Sequence, residues 1–218
     1  MIGSHPNELP EYRKLRAELL EAEVALRDQR ERVAELRRAL PRDTVVLDET
    51  LARVRDGRVQ EVSLSELFAD PEKPLVLMHF MYGKAQERPC PMCTAWADGY
   101  DGIQRHLRQR VNFAVLVAGD VSAFEAYGRE RGWRNLELVS AADSGLKAAL
   151  GFEDESGAQH PGVSVFLRRG DGALVHTYSV SAWLGEAGFR GMDLLSPIWH
   201  YLDLIPEGRG GFMPGKSY

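Results

Sequence analysis

The sequence predicts an α/β fold: a mixed central sheet with helices on both faces, preceded by a long amphipathic helix. Three observations carry that expectation. The runs "PLVLMHFMYG" at 74–83 and "VNFAVLVAG" at 111–119 are continuously apolar, as in strands buried on both faces. Segments with helical start and stop signals alternate with such runs. A charged segment with three-four apolar spacing opens the chain. Strands alternating with helices indicate a mostly parallel sheet, to which a closing hairpin adds antiparallel character.

In chain order, "LPEYRKLRAELLEAEVALRDQRERVAELRRALP" places Tyr12, Leu15, Leu19, Ala22, Leu26, Val33, Leu36 and Leu40 on one stripe, with Gln29 as the polar exception. That is one helix with a narrow apolar face, stopped by Pro41. About four heptads is long for a helix serving one small domain, so the stripe is read as a subunit contact as well as an internal one. "TVVL" and "GRVQEVSL" follow as short strands and "SLSELF" as a helical turn. Next come the first buried strand and the polar loop "GKAQERP". "PMCTAWADGYDGIQRHLRQ" starts with proline and continues as a helix, weakened by Gly99 and Gly102. The second buried strand leads to "DVSAFEAYGRERG", a helix with Asp120 as N-cap and Gly132 as its stop. "LELVSA" is a third strand. "GVSVFLRRGDGALVHTYSV" reads as two strands joined at "RGDG". "GMDLLSPIWHYLDLIP" closes the pattern as a helix restarted near Pro197. The expected organisation is a helical extension over 1–42, one domain over 43–208 and a flexible tail over 209–218.

Charge and composition exclude several classes. Of 218 residues 44% are hydrophobic, enough for a full core, and the net charge is −5 with basic residues scattered. Nucleic-acid binding would need a concentrated basic face. No apolar run approaches the ~18 residues of a membrane span, and the polar opening lacks the apolar core of a secretory signal. Two cysteines are too few for a secreted disulfide scaffold. A cytoplasmic, reducing setting is therefore expected.

Both cysteines fall in "RPCPMCTAW", three residues apart and between a buried strand and a helix start. Pro91 suits the first helical position, which makes Cys90 the cap residue. Its sulfur then lies at the positive end of the helix dipole, a position that favours thiolate over thiol. Cys93 sits nearly one turn deeper, within disulfide reach. This arrangement suits thiol–disulfide exchange, with Cys90 attacking and Cys93 resolving the mixed disulfide. A structural disulfide in so tight a loop would remove little unfolded-state entropy. A zinc site would need two further ligands that no second Cys pair or close His pair supplies. No metal and no resident cofactor are expected.

The motifs "CPMCTAWADGYDG", "NFAVLVA", "FEAYGRERGW", "GVSVFLRRGDGALVHTYS" and "YLDLIPEGR" together resemble a bacterial thioredoxin-like family of uncharacterised proteins or predicted dithiol–disulfide oxidoreductases. The likeness runs from about Glu18 to Arg209. It implies a thioredoxin-like fold, with Cys90 and Cys93 as the positions that carry over. "AADSGLKAALGFEDESGAQHPG" and "SAWLGEAGFRG" depart from the family pattern. Thioredoxins also place a cis-proline before a late strand, opposite the cysteines. Here Gly162 takes that place, with Pro161 one residue early. The strand before their motif carries a buried acid, and His79 stands at about that place as a candidate proton acceptor for Cys93. Trp96 and Asp98, one turn into the helix, are candidate site-lining residues whose ordinary roles are core packing and solvated charge. His106 can pair with the helix C-terminus, and His176 on a strand is read as packed or exposed.

The resulting expectation is an enzyme acting on protein or small-molecule disulfides through Cys90 and Cys93, with a thiol electron donor, as a homodimer. One alternative is a peroxiredoxin-like thiol peroxidase, with Cys90 oxidised to sulfenic acid and Cys93 resolving it. Arg88 and Thr94 are near for that chemistry but not at the usual spacing. The other is a non-enzymatic interaction protein with the long helix as its working surface.

Overall fold

In the computed structural model residues 9–188 and 190–215 are described. The first eight residues of the expected extension, Phe189, and residues 216–218 of the expected tail lie outside them. The chain divides into two units at Pro41/Arg42. The first holds α1, Pro10–Arg38, which starts on a proline at its first turn and ends with Arg37 and Arg38 against the negative end of the dipole. Leu15, Leu19, Leu26 and Leu36 on its stripe are all more than half exposed.

The second unit is built on one eight-stranded sheet among the described residues. The strands are β1 (Val45–Val46), β2 (Thr50–Arg55), β3 (Arg58–Ser63), β4 (Leu75–His79), β5 (Asn112–Val117), β6 (Glu137–Ser140), β7 (Gly162–Arg168) and β8 (Leu174–Ser181). Their order is β1-β8-β7-β4-β5-β6-β2-β3. Only β4–β5 and β5–β6 are parallel; the other ladders are antiparallel. The sheet is thus mixed, as expected, with more antiparallel ladders than the alternation of strands and helices implied. Two of those ladders come from the β2–β3 hairpin, of which only the second strand was expected. Its turn is Asp56–Gly57, both at positive φ (52° and 72°), the geometry that "DG" favours between paired strands.

The helices are α2 (Pro91–Leu107), α3 (Val121–Arg131), the short α4 (Leu146–Ala149) and α5 (Pro197–Leu202). The predicted caps of α3 are present. Asp120 accepts a hydrogen bond from the Ala123 amide at 2.7 Å, and Gly132 ends the helix at φ 79°. The two faces of the sheet carry separate cores, because strand side chains alternate. Met78, Phe80, Val115 and Val117 face the layer that includes Cys93, Trp96, Tyr100 and Phe124 from α2 and α3. Leu75, Leu77, Ala114 and Leu116 face the layer with Leu64, Leu67, Phe68 and Leu146.

The segment expected to run loose from 209 begins on an anchored side chain. Arg209 pairs with Asp193 at 2.8 Å and Asp203 at 2.6 Å, and lies 5.3 Å from the Trp199 ring centroid.

Candidate active site

The site lies at the carboxyl end of β4, where open α/β sheets place their ligands. β4 stops at His79, and Phe80–Pro89 carry the chain to α2. The Cys90 amide donates to the Met81 carbonyl at 3.2 Å, and this bond fixes the helix start against the strand end.

Cys90 is the N-cap of α2 and Pro91 its first helical residue, as expected. One expected detail differs. The Cys90 sulfur makes no capping hydrogen bond to the helix amides. It engages Cys93 instead: the pair forms no disulfide, and a hydrogen bond to Cys90 helps to keep the Cys93 thiol protonated. Cys93 is fully buried while Cys90 is half-buried. Burial is the largest cause that drives the Cys93 pKa well above its ordinary value, followed by the Cys90 sulfur. Two groups oppose it, the Met81 backbone amide by hydrogen bonding to the sulfur and Lys147 by its charge. One sulfur is thus presented and the other held back as a thiol.

Thr94, one turn in, braces the helix start. Its hydroxyl donates to the Cys90 carbonyl at 2.8 Å and lies 2.9 Å from the Tyr127 hydroxyl. Tyr127, Tyr82, Arg88 and Pro89 line a cleft of about 470 Å³ beside the loop that delivers Cys90. A second cleft, about 500 Å³, lies at the amino ends of β5 and β6 around Asn112 and Glu137, remote from this chemistry.

The other residues singled out in the sequence lie as follows. Trp96 is a core side chain, 2% exposed, its indole N–H without a partner among the described residues. Asp98 serves as a brace between helices. Its carboxylate accepts from Arg131 Nη2 at 2.6 Å and from Trp133 Nε1 at 2.7 Å, tying α2 to the end of α3. His79 alternates with Met78 and Phe80 and so projects to the sheet face opposite Cys93. There it is fully buried, stacked on Phe152 at 3.7 Å between centroids, with Nε2 2.8 Å from Ser164 Oγ. Ser164 continues to Ser179 at 2.6 Å and Ser179 to His176 Nε2 at 2.7 Å, a hydrogen-bonded chain across β4, β7 and β8. The peptide before Pro161 is trans, since the described chain holds no cis bond. Gly162 pairs with His79 across the β4–β7 ladder. A Cβ there would collide with the Phe152 ring and the Val180 carbonyl. Glycine is thus required by the ring that covers His79.

Sequence reasoning missed Lys147. It lies on α4, in the segment that departs from the family pattern, and is fully buried. Its Nζ donates to the Phe80 carbonyl at 3.0 Å. Burial pulls its pKa down to about 8, against the opposing charges of Cys93 and Glu153. The local signal was a lysine beside Leu146 in an apolar stretch. Lysine is almost never fully buried, so the default reading is a solvated side chain.

Among the described residues no group of three or more His, Cys, Asp or Glu could hold a metal ion. No described helix is long and apolar enough to cross a membrane.

The chain belongs to the family described as "Bacterial protein of unknown function (DUF899)", whose model matches residues 2–217. A comparison with the curated proteins found no match. Among solved structures, reduced Prx3 in complex with H2O2 from Vibrio vulnificus is similar at a TM-score of 0.50 and 16% identity. The match covers 73% of this chain and 99% of that one. Mycobacterium tuberculosis AhpC is similar at 0.48 and 11% identity, over 71% of this chain and 88% of that one. The fold is thioredoxin-like, as in that Prx3 structure.

Proposed function

We propose that the protein is a thiol–disulfide oxidoreductase working through Cys90 and Cys93. The observation that carries this reading is the asymmetry of the pair: a half-buried cysteine stands at the N-cap position of α2, past the carboxyl end of a central strand, and a fully buried thiol touches it from one turn behind.

The Cys90 thiolate attacks one sulfur of a substrate disulfide. A Cys90–substrate bond forms, the substrate S–S bond breaks, and the first thiolate leaves. Cys93 then loses its proton and attacks Cys90 Sγ. The Cys90–Cys93 disulfide forms, the bond to the substrate breaks, and the substrate departs with two electrons gained. A thiol donor returns the pair to the reduced state. The cleft lined by Tyr82, Arg88, Pro89 and Tyr127 is assigned to the disulfide substrate. The steps use no resident cofactor, and the reducing cytoplasm is the fitting compartment.

The long helix is assigned to self-association, supported by the exposed apolar stripe of α1. A homodimer has about twice the 24.4 kDa mass of one chain, which size exclusion with light scattering reads directly.

A second reading, thiol peroxidase, draws support from the fold shared with a protein solved with peroxide bound and from Arg88, two residues before Cys90, lining the cleft beside the loop. There Cys90 would be oxidised to a sulfenic acid and Cys93 would condense with it, releasing water.

Reduction of insulin disulfides with dithiothreitol as donor, run beside peroxide consumption with the same donor, separates the two. The expected outcome is insulin reduction that Cys90→Ser abolishes. Under the proposed mechanism Cys93→Ser traps a mixed disulfide on Cys90, visible as the mass of protein plus substrate. Peroxide turnover without insulin reduction would transfer the assignment to the second reading. Thiols inert in both assays would leave neither.

A further inference from the structure

A fully buried lysine needs a reason, because taking an ammonium out of water is expensive unless the fold gives it a partner. Lys147 has one neutral partner, the Phe80 carbonyl at 3.0 Å. That carbonyl belongs to the same peptide group as the Met81 N–H, which hydrogen-bonds the Cys93 sulfur. One planar peptide therefore stands between the ammonium and the buried thiol, its oxygen toward Lys147 and its hydrogen toward Cys93. A charge-assisted bond to the carbonyl oxygen polarises the amide and strengthens the N–H as a donor. The adjoining Met81 carbonyl holds the Cys90 amide at 3.2 Å, so the same short loop positions both cysteines.

We propose that Lys147 is a positioning residue for Cys93: through the Phe80–Met81 peptide and by its own charge it supports the anion that Cys93 must become when it resolves the mixed disulfide. This rests on the exchange reaction proposed above. In that step the Cys93 S–H bond breaks and its proton ends in solvent. The new S–S bond forms to Cys90 Sγ, and the Cys90–substrate bond gives up its electron pair to the departing thiolate. The burden falls on the second step alone, since Cys93 starts as a thiol that burial and Cys90 hold well above its ordinary pKa.

Every titratable group acting on Lys147 bears on the expected pH dependence. Cys93 on α2 and Glu153 after α4 favour its charged form, while burial opposes it. His79, across β4, feels Lys147 and is kept neutral by burial first and by that charge second. With Lys147 near 8, its support is present at neutral pH and fades as pH rises through that value.

The test uses the full reduced protein and 5,5′-dithiobis(2-nitrobenzoate), mixed in a stopped-flow instrument at equimolar ratio. Attack by Cys90 releases one nitrothiobenzoate and resolution by Cys93 releases a second. Wild type is expected to give two phases and Cys93→Ser one. If wild type gives one phase, or Cys93→Ser gives two, the exchange reading itself falls and this inference with it. Given two phases, Lys147→Met is expected to leave the first within twofold. The second should slow at least tenfold at pH 7, with its pH midpoint about one unit higher, the equivalent of about 1.4 kcal/mol. Lys147→Arg should recover most of the rate. An unchanged second phase in folded Lys147→Met overturns the proposal. Should that variant fail to fold by circular dichroism, Lys147→Gln replaces it, keeping a donor for the Phe80 carbonyl without the charge. An unchanged second phase there overturns the proposal equally.

Discussion

Cys90 and Cys93 were legible at the level of single residues because their spacing, the intervening proline and the position after a buried run all constrain chemistry at once. Asp98 and His79 were not, since a carboxylate or an imidazole reads the same in sequence whether it tunes a thiol or satisfies a neighbour. The partners that decide, Arg131 and Trp133 for Asp98 and Ser164 for His79, are 33, 35 and 85 residues away. Gly162 is an instructive middle case. Alignment with a late strand placed it near the site, but its necessity comes from Phe152, which stacks on His79 and leaves no room for a Cβ. Both clashes in Gly162→Ala meet packed groups: the Phe152 ring is buried against His79, and the Val180 carbonyl sits on the paired strand β8. The substitution is expected to cost about 1–3 kcal/mol, in the range of an overpacked core. Urea denaturation with an unchanged slope should show this as a lower midpoint. A loss under about 0.5 kcal/mol would mean that the Phe152 ring and the Val180 carbonyl both give way freely.

Elements were legible where one period dominated. α1, α2, α3, β4 and β5 each carry a clear pattern, and their caps or breakers, Pro91, Asp120 and Gly132, act as the sequence implies. β2 was missed because "TLARVR" has no long apolar run; its register is set by pairing with β3 and β6, which no local pattern encodes. α4 was missed because four residues are too few to show a period, and with it went Lys147. α1 was legible as a helix, but its use is a question of assembly. Its exposed leucines lead to a definite expectation: replacing Leu15, Leu19 and Leu26 with glutamate should convert a particle of twice the chain mass into one near 24.4 kDa. The helicity should be largely kept, since glutamate is a good helix former. Light scattering that gives the single-chain mass for the unsubstituted protein would remove the assignment of this helix to self-association.

Across the whole molecule, the two sheet faces divide the labour, with the thiols on one and the histidine–serine chain on the other, joined where Lys147 reaches the end of β4. That division makes acid stability a property of the far face. His79 is held well below 6.5, by burial first and then by Lys147 and His176. His176 is also lowered, by burial. The folded state therefore refuses protons that the unfolded chain accepts once pH falls below about 6.5. Where the unfolded state binds more protons, stability rises with pH, so it must fall as pH drops from 6.5 toward the folded pKa. For His79 alone the slope is at most about 1.4 kcal/mol per pH unit. The lowered carboxylates Asp70, Asp154, Asp171 and Asp203 act in a separate window, below their ordinary 3.8. Denaturation midpoints between pH 7 and 5 should thus decline steeply in the wild-type chain. They should be flatter in His79→Gln, which keeps a partner for Ser164 but cannot take a proton. Equal slopes in the two proteins would show that His79 charges as readily in the fold as out of it, which its stacking between Phe152 and the sheet does not allow.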